Sequence, residues 1–317
     1  MHSMVLLRTA LHQYRAHLRY LVVLFSIPFI LSIIPSVLSL TFPTLSYLGG
    51  LAIFVGALFS LAAGIGLIAA RAAGALGENM QETFRRGYPF FIPFLTVVGI
   101  NLFIALGSYT LLIIPGFVLS VLLSQIIFTL IVDGKKGLSA FLSSWQLVYG
   151  RFWQVLGRLA LLWIVTILVV SITMLILSLL GFGPAPSLGI RELSDFARVQ
   201  TPARVLPAAL VLAAIKLFVL TPFSILFLFE LYQSLKISAE DLPQLTEGSL
   251  KKRRTFLIIC GIIGVISLLI LIIFSRVLFN YAIQALELFG GPNRDFVQAL
   301  TTLRALSPEQ IQIIFTR

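Results

Sequence analysis

Seven stretches of this chain are too long and too apolar to be hidden in a water-soluble core. They fall at about 20–40, 47–70, 89–112, 115–132, 154–181, 207–233 and 256–275. Crossing the hydrocarbon of a bilayer takes roughly 20 apolar residues as a helix, and uncharged runs of that length are span candidates. The mean hydropathy of +1.04 and a charged fraction of only 11% leave a surplus of apolar side chains, which has to face lipid. The chain is therefore read as an all-α polytopic transmembrane bundle with interfacial amphipathic helices. The first run is longer than the roughly 7–15-residue apolar core of a secretory signal and contains Pro28 and Pro35, so it is expected to be a retained span. The turn between the third and fourth runs is expected at either 107–110 or 114–116, with Pro115 opening the fourth helix or kinking it.

The charge between the runs alternates. Fifteen basic residues lie on one side: Arg8, Arg15, Arg19, Arg71, Arg85, Arg86, Lys135, Lys136, Arg151, Arg158, Lys236 and the Lys251–Arg254 cluster. The other side carries seven (Arg191, Arg198, Arg204, Arg276, Arg294, Arg304, Arg317), with Lys216 inside a span. The positive-inside rule then puts the N-terminus in the cytoplasm and the C-terminus outside, in a prokaryotic cytoplasmic membrane. The formal net charge of +11 is read as topogenic. No nucleic-acid-binding motif accompanies it, and no nucleic-acid partner is expected. The single cysteine, Cys260, lies in an apolar run and excludes an intrachain disulfide.

Three segments on the basic side share a plan, an amphipathic stretch followed by a membrane hairpin, beginning near Leu6, Met80 and Leu138; this suggests a triplicated unit in one orientation. In the first, Arg8, His12, Arg15 and Arg19 fall on one helical face, opposite Leu7, Leu11, Tyr14 and Leu18. In the second, Glu82 is spaced to pair with Arg85 and Arg86. In the third, Leu138, Phe141, Leu142, Trp145, Val148 and Phe152 form an apolar face, with Ser139, Ser143 and Gln146 turned away. Aromatic Trp145, Tyr149 and Trp153 suit headgroup depth. Basic juxtamembrane residues attract anionic lipid, which makes Arg8, Arg15, Arg19, Arg85, Arg86, Arg151 and Arg158 candidate headgroup contacts.

The second run carries Ala52, Gly56, Ser60 and Gly64 at every fourth position, with Gly66, Ala70 and Gly74 as another small-residue row. Such rows let helices approach closely, and close packing is expected over a substrate path. The intramembrane polar candidates are Asn101, Gln125, Lys216 and Glu230. Lys216 and Glu230 are fourteen residues apart, about 21 Å along a helix, too far to pair. Lys216 is expected to snorkel outward while Glu230 sits near the inner interface. No catalytic or metal-binding motif is present: all three histidines are N-terminal, and neither a phosphate loop nor a nucleophile elbow occurs. A non-enzymatic chain without cofactor is expected.

Several segments resemble a known family. They are Leu111-Leu112-Ile113-Ile114-Pro115-Gly116-Phe117, Ser144 through Trp153, Val155-Leu156-Gly157, and Thr221-Pro222-Phe223 followed by Glu230-Leu231-Tyr232 and Lys236. They are similar to the prokaryotic membrane domain that accompanies some glycerophosphodiester phosphodiesterases and also occurs alone as an inner-membrane protein. The Glu82–Gly87 segment fits that family's first internal loop. The resemblance covers about residues 1–245 and implies a six-span core with both ends in the cytoplasm. The histidine- and acid-rich phosphodiesterase site has no counterpart here. The expected organisation is a six-span core over 1–245, a basic linker and seventh span over 246–279, and an extracytoplasmic tail over 280–317.

Two functions remain open. One is a non-catalytic scaffold or lipid-organising component with membrane lipids and an unidentified membrane or cytoplasmic protein as partners. The other is a transporter or permease subunit for a small or amphipathic substrate, with Pro93, Pro115 and Pro222 marking broken helices. A water-filled cavity reaching Lys216 would favour transport and a solid bundle the scaffold. For topology, reporter fusions after Glu247 and after Arg317 are expected to report opposite sides of the membrane. Agreement between them would remove the seventh crossing.

Overall fold

The structure, a computed structural model, describes residues 3–41, 46–77, 79–180, 182, 202–239 and 247–288. Among these it is all-helical, a polytopic bundle. In chain order the elements are α1 (Ser3–Ala16), α2 (Leu18–Thr41), α3 (Ser46–Ala72), α4 (Met80–Leu111), α5 (Ile113–Leu122), α6 (Ile126–Ile131), α7 (Leu138–Tyr149) and α8 (Phe152–Leu179). There follow α9 (Pro202–Ala214), a π-helical turn (Ile215–Leu220), α10 (Thr221–Ala239) and α11 (Glu247–Leu288). Six helical stretches are long and apolar enough to cross a membrane, and the α1–α2 pair, bent by 79°, makes a seventh if it counts as one span. Residues 1–186 and 201–265 form one compact unit; the second comprises 187–200 and 266–317, of which 266–288 are described, all helical. Residues 183–201, expected as a loop, and those from 289 onward lie outside the described residues.

Lipid exposure is clearest on α8. Trp163, Ile164, Ile167, Leu168, Leu175 and Leu179 are all more than half exposed, as only a hydrocarbon solvent would tolerate. The core lies instead among α3, α4, α6, α7 and α10, where Ile65, Val97, Phe128, Phe141 and Tyr232 are buried. A second cluster joins Leu6 and Ala10 of α1 to Leu24 and Phe25 of α2 and to Phe227 and Leu231 of α10.

The boundaries have local causes. Helix α3 ends because Gly74 adopts φ +69° and lets the Ala75 N–H return to the Ala70 carbonyl at 2.9 Å, a Schellman closure. Gly74 thus terminates the helix rather than extending the small-residue row. Helix α4 starts where the Asn79 side chain accepts from the Gln81 N–H. It runs unbroken for 32 residues through Pro89 and Pro93, so the Met80 stretch is not a separate interfacial helix and Pro93 marks no break. The turn to α5 falls at Leu112, in extended conformation (φ −167°). The turn thus falls in neither expected range, 107–110 or 114–116, and Pro115 opens the fourth helix in its first turn rather than kinking it, where its missing N–H is harmless. The fourth run is itself interrupted between Leu122 and Ile126.

Two expected faces are corrected. Helix α1 buries Leu6 and Ala10, with Gln13 and Tyr14 reaching inward, whereas Leu18 is exposed. Its inward face is therefore rotated from the one centred on Leu7 and Leu11, and it packs on α10. In α7, Ser143 is buried and accepts from Lys135 Nζ at 2.7 Å, because a docked helix needs polar groups at the turns it covers. Helix α7 packs against α5, α6, α8 and α10.

Glycine governs the closest crossings. A Cβ on Gly87 would come within 2.9 Å of the Gly66 backbone, where α3 meets α4. One on Gly107 would overlap the Cys260 carbonyl, and one on Gly264 the Phe103 carbonyl. Without hydrophobic incentive in lipid, such backbone contact is what holds helices together. Gly107→Ala is expected to cost about 1–3 kcal/mol in overpacking, seen as a lower unfolding temperature in detergent. Gly99→Ala, whose added carbon meets nothing within 4 Å, should leave that temperature unchanged or raised.

Candidate functional site

Pro222 sets the geometry of the site. It has no N–H to offer the Phe218 carbonyl four residues back, and in a lipid-embedded helix a freed carbonyl has no water to turn to. Two features accompany this, of which the second meets the Phe218 oxygen itself. The backbone widens into the π-helical turn over Ile215–Leu220, with the Thr221 N–H reaching the Lys216 carbonyl five residues back. Tyr14 of α1 donates its hydroxyl to the Phe218 carbonyl at 3.0 Å. A helix read as interfacial is thereby fixed to the break in another.

Below that turn lies a belt of polar contacts along α10. Glu230 Oε1 accepts from Arg71 Nη2 at 2.8 Å and from Gln13 Nε2 at 2.9 Å. The pair is partly buried, Glu230 only 13% exposed, and the Arg71 guanidinium lies 5.4 Å from the Phe229 ring centroid. Further along, Lys236 pairs with Asp133 at 2.6 Å. Arg151 donates to the Leu235 carbonyl at 3.2 Å and to that of Ser238, and Arg158 donates to Ser234 Oγ at 3.2 Å. Cations at the C-terminal end of α10 satisfy its last carbonyls and oppose its dipole.

The seven arginines proposed for headgroups divide accordingly. Arg8 and Arg15 are exposed on α1, whereas Arg19, also exposed, lies on α2 beyond the 79° bend, so the one basic face expected of Arg8, His12, Arg15 and Arg19 is broken between Ala16 and Leu18. Arg85 and Arg86 pair with Glu82 at 2.9 and 3.2 Å. Arg151 and Arg158 are turned onto α10, with Arg158 only 8% exposed.

Between α2, α3 and the α9–α10 break lies a half-enclosed cavity of about 520 Å³, within the roughly 300–1,000 Å³ of small-molecule sites. Its walls include Pro28, Gly56, Ser60, Gly64, Lys216 and Ile225, and its lining on α3 runs from Ile53 to Ile68. The small-residue row thus serves two ends. Gly56 is packed under Leu31, where an added Cβ would lie 3.2 Å from the Leu31 Cβ, while at Gly64 it would meet only the tip of Ile225 at 3.4 Å. Gly56, Ser60 and Gly64 line the cavity and Ala52 does not.

Asn101 lines a second, smaller cavity of about 190 Å³ with Ser108, Ser120 and Ser124. Gln125 is fully buried in the gap between α5 and α6. Its N–H donates to Ser144 Oγ at 3.2 Å, and that hydroxyl donates to the Leu122 carbonyl at 2.9 Å. The four intramembrane candidates are therefore dispersed: Glu230 in the belt, Lys216 on the first cavity, Asn101 on the second, Gln125 at a helix break. Sequence reasoning missed Gln13 and Arg71 as partners of α10, Tyr14 as the partner of the π-helical turn, and Ser144 as the bridge across the α5–α6 break. The Ser124-Gln125 pair inside an apolar run was the available signal for the last. No metal-binding group of histidine, cysteine and acid occurs among the described residues. No family model, curated protein or solved structure matches this chain.

Proposed function

We propose that this chain is a non-catalytic transporter or permease subunit that handles an amphipathic molecule taken from the membrane. The observation that carries the reading is the cavity beside the broken α9–α10 span, with Lys216 in its wall. Interrupted helices at the edge of a cavity are where transporters build their sites. Exposed Ile53 and Ala57 on the lining suit entry from lipid rather than from water. The membrane is taken to be the prokaryotic cytoplasmic one, with the belt end and the N-terminus inside, on the strength of the basic asymmetry. Pro222 and Glu230 also fall in the segment that resembles the closing helix of the phosphodiesterase-associated membrane domain, a likeness of fold.

A lipid-organising scaffold is the second reading, favoured by the exposed arginines of α1. Reconstitution separates the two. Liposomes containing the protein should move a fluorescent single-chain amphiphile between leaflets faster than empty liposomes. Ser60→Leu and Gly64→Leu, which put bulk into the cavity, should return the rate to that of empty liposomes while retaining cooperative unfolding in detergent. Equal rates for parent, both variants and empty liposomes would contradict transport.

A further inference from the structure

The cavity has a sign. Lys216 is exposed on its wall, and its ammonium has neither an ion-pair nor a hydrogen-bond partner among the described residues. The acidic side chains described with it are Glu82, Asp133 and Glu230, and each is engaged by another cation: Arg85 and Arg86, Lys236, and Arg71. Local hydroxyls do not solvate the ammonium either. Thr221 Oγ1 donates to the Lys216 carbonyl at 2.8 Å and Ser32 Oγ to the Phe29 carbonyl at 2.7 Å. The Ser60 hydroxyl, also on the cavity, carries no hydrogen bond among the described residues.

Depth makes this consequential. Lys216 precedes Glu230 by fourteen residues, about 21 Å along the helix, and Glu230 belongs to the polar belt. With a hydrocarbon core of about 30 Å, Lys216 lies within the membrane thickness measured from that belt. A cation there needs a counter-charge or a path to water. The rest of the cavity is an elongated apolar slot: from Ile53 to Ile68 it follows α3 for fifteen residues, about 22 Å. A compact polar solute would leave most of that wall uncovered, whereas a chain with a charged end would cover it and meet Lys216.

We propose that the cavity binds amphiphiles with a single acyl chain and an anionic head, the head paired with Lys216 and hydrogen-bonded by Ser60, the chain laid along the apolar α3 wall that continues through Leu61, Gly64, Ile65 and Ile68. This deepens the transport reading and rests on it. Carboxylate and phosphate heads share the required chemistry, and Lys216 is carried on the π-helical turn.

Binding to the purified protein in nanodiscs of zwitterionic lipid tests this, with four dodecyl probes: a carboxylate, a phosphate monoester, a phosphocholine and a trimethylammonium. One or both anions should bind about tenfold tighter than the zwitterion, and the better of the two identifies the head. The cation should bind weakest. Lys216→Gln should abolish the preference, Lys216→Arg should retain it, and Gly64→Leu should weaken all four probes. Charge-blind binding by the parent, or a preference that survives in a folded Lys216→Gln variant, would overturn the anionic assignment and leave the transport reading standing. Failure of every probe to bind would overturn both.

Discussion

A single carbonyl organises this protein. Proline at 222 leaves the Phe218 oxygen without its helical partner, in a span where water cannot substitute. The penalty for an unsatisfied backbone group in hydrocarbon is several kcal/mol, more than a membrane helix can readily absorb. The response builds the site: the helix widens into a π turn, and Tyr14 reaches across from α1 to the freed oxygen. Lys216 lies in that turn and on the cavity wall, and the tyrosine ties an amphipathic helix to the bundle. Helix α10 is then held from several sides at its other end, by Gln13, Arg71, Asp133, Arg151 and Arg158.

Packing around this element follows the economy of a lipid solvent. Backbones are brought together at Gly66 and Gly87, and at Gly107 and Gly264, because apolar surface gains nothing by leaving the bilayer for another helix. Along α3 the same small residues do different things according to what stands opposite. Where Leu31 fills the space, Gly56 permits contact; further along, Ser60 and Gly64 face the cavity. A row of small residues is thus a permission for closeness, and the neighbouring helix decides whether it is used.

The architecture was legible because span formation depends on local hydropathy: every apolar run appears as helix, the fourth and sixth divided among consecutive helical elements, and the bent α1–α2 pair follows the amphipathic and apolar stretches at its two sides. Breaks were legible only as candidates. Pro93 and Pro222 look alike in sequence, yet α4 runs through Pro93 while the chain at Pro222 widens. The pairing of Glu230 was not legible, since Gln13 and Arg71 lie 217 and 159 residues away and no periodicity encodes that contact. The inward face of α1 was read one position off because its hydrophobic pattern is broad: Leu6, Leu7, Ala10 and Leu11 all qualify, and the surface of α10 selects Leu6 and Ala10. Polarity alone points Ser143 outward, which fails when a helix is docked on both sides.

The central claim is that Tyr14 satisfies the Phe218 carbonyl and thereby holds the π turn at the cavity. Hydrogen exchange read by mass spectrometry on Tyr14→Phe and parent protein in nanodiscs tests it directly, because the substitution removes one hydroxyl and little else. Amides over 215–221 should exchange about tenfold faster in the variant, the effect of losing a bond of about 1–1.5 kcal/mol, with α4 and α8 unchanged. Identical exchange over 215–221 in the two proteins would contradict the account.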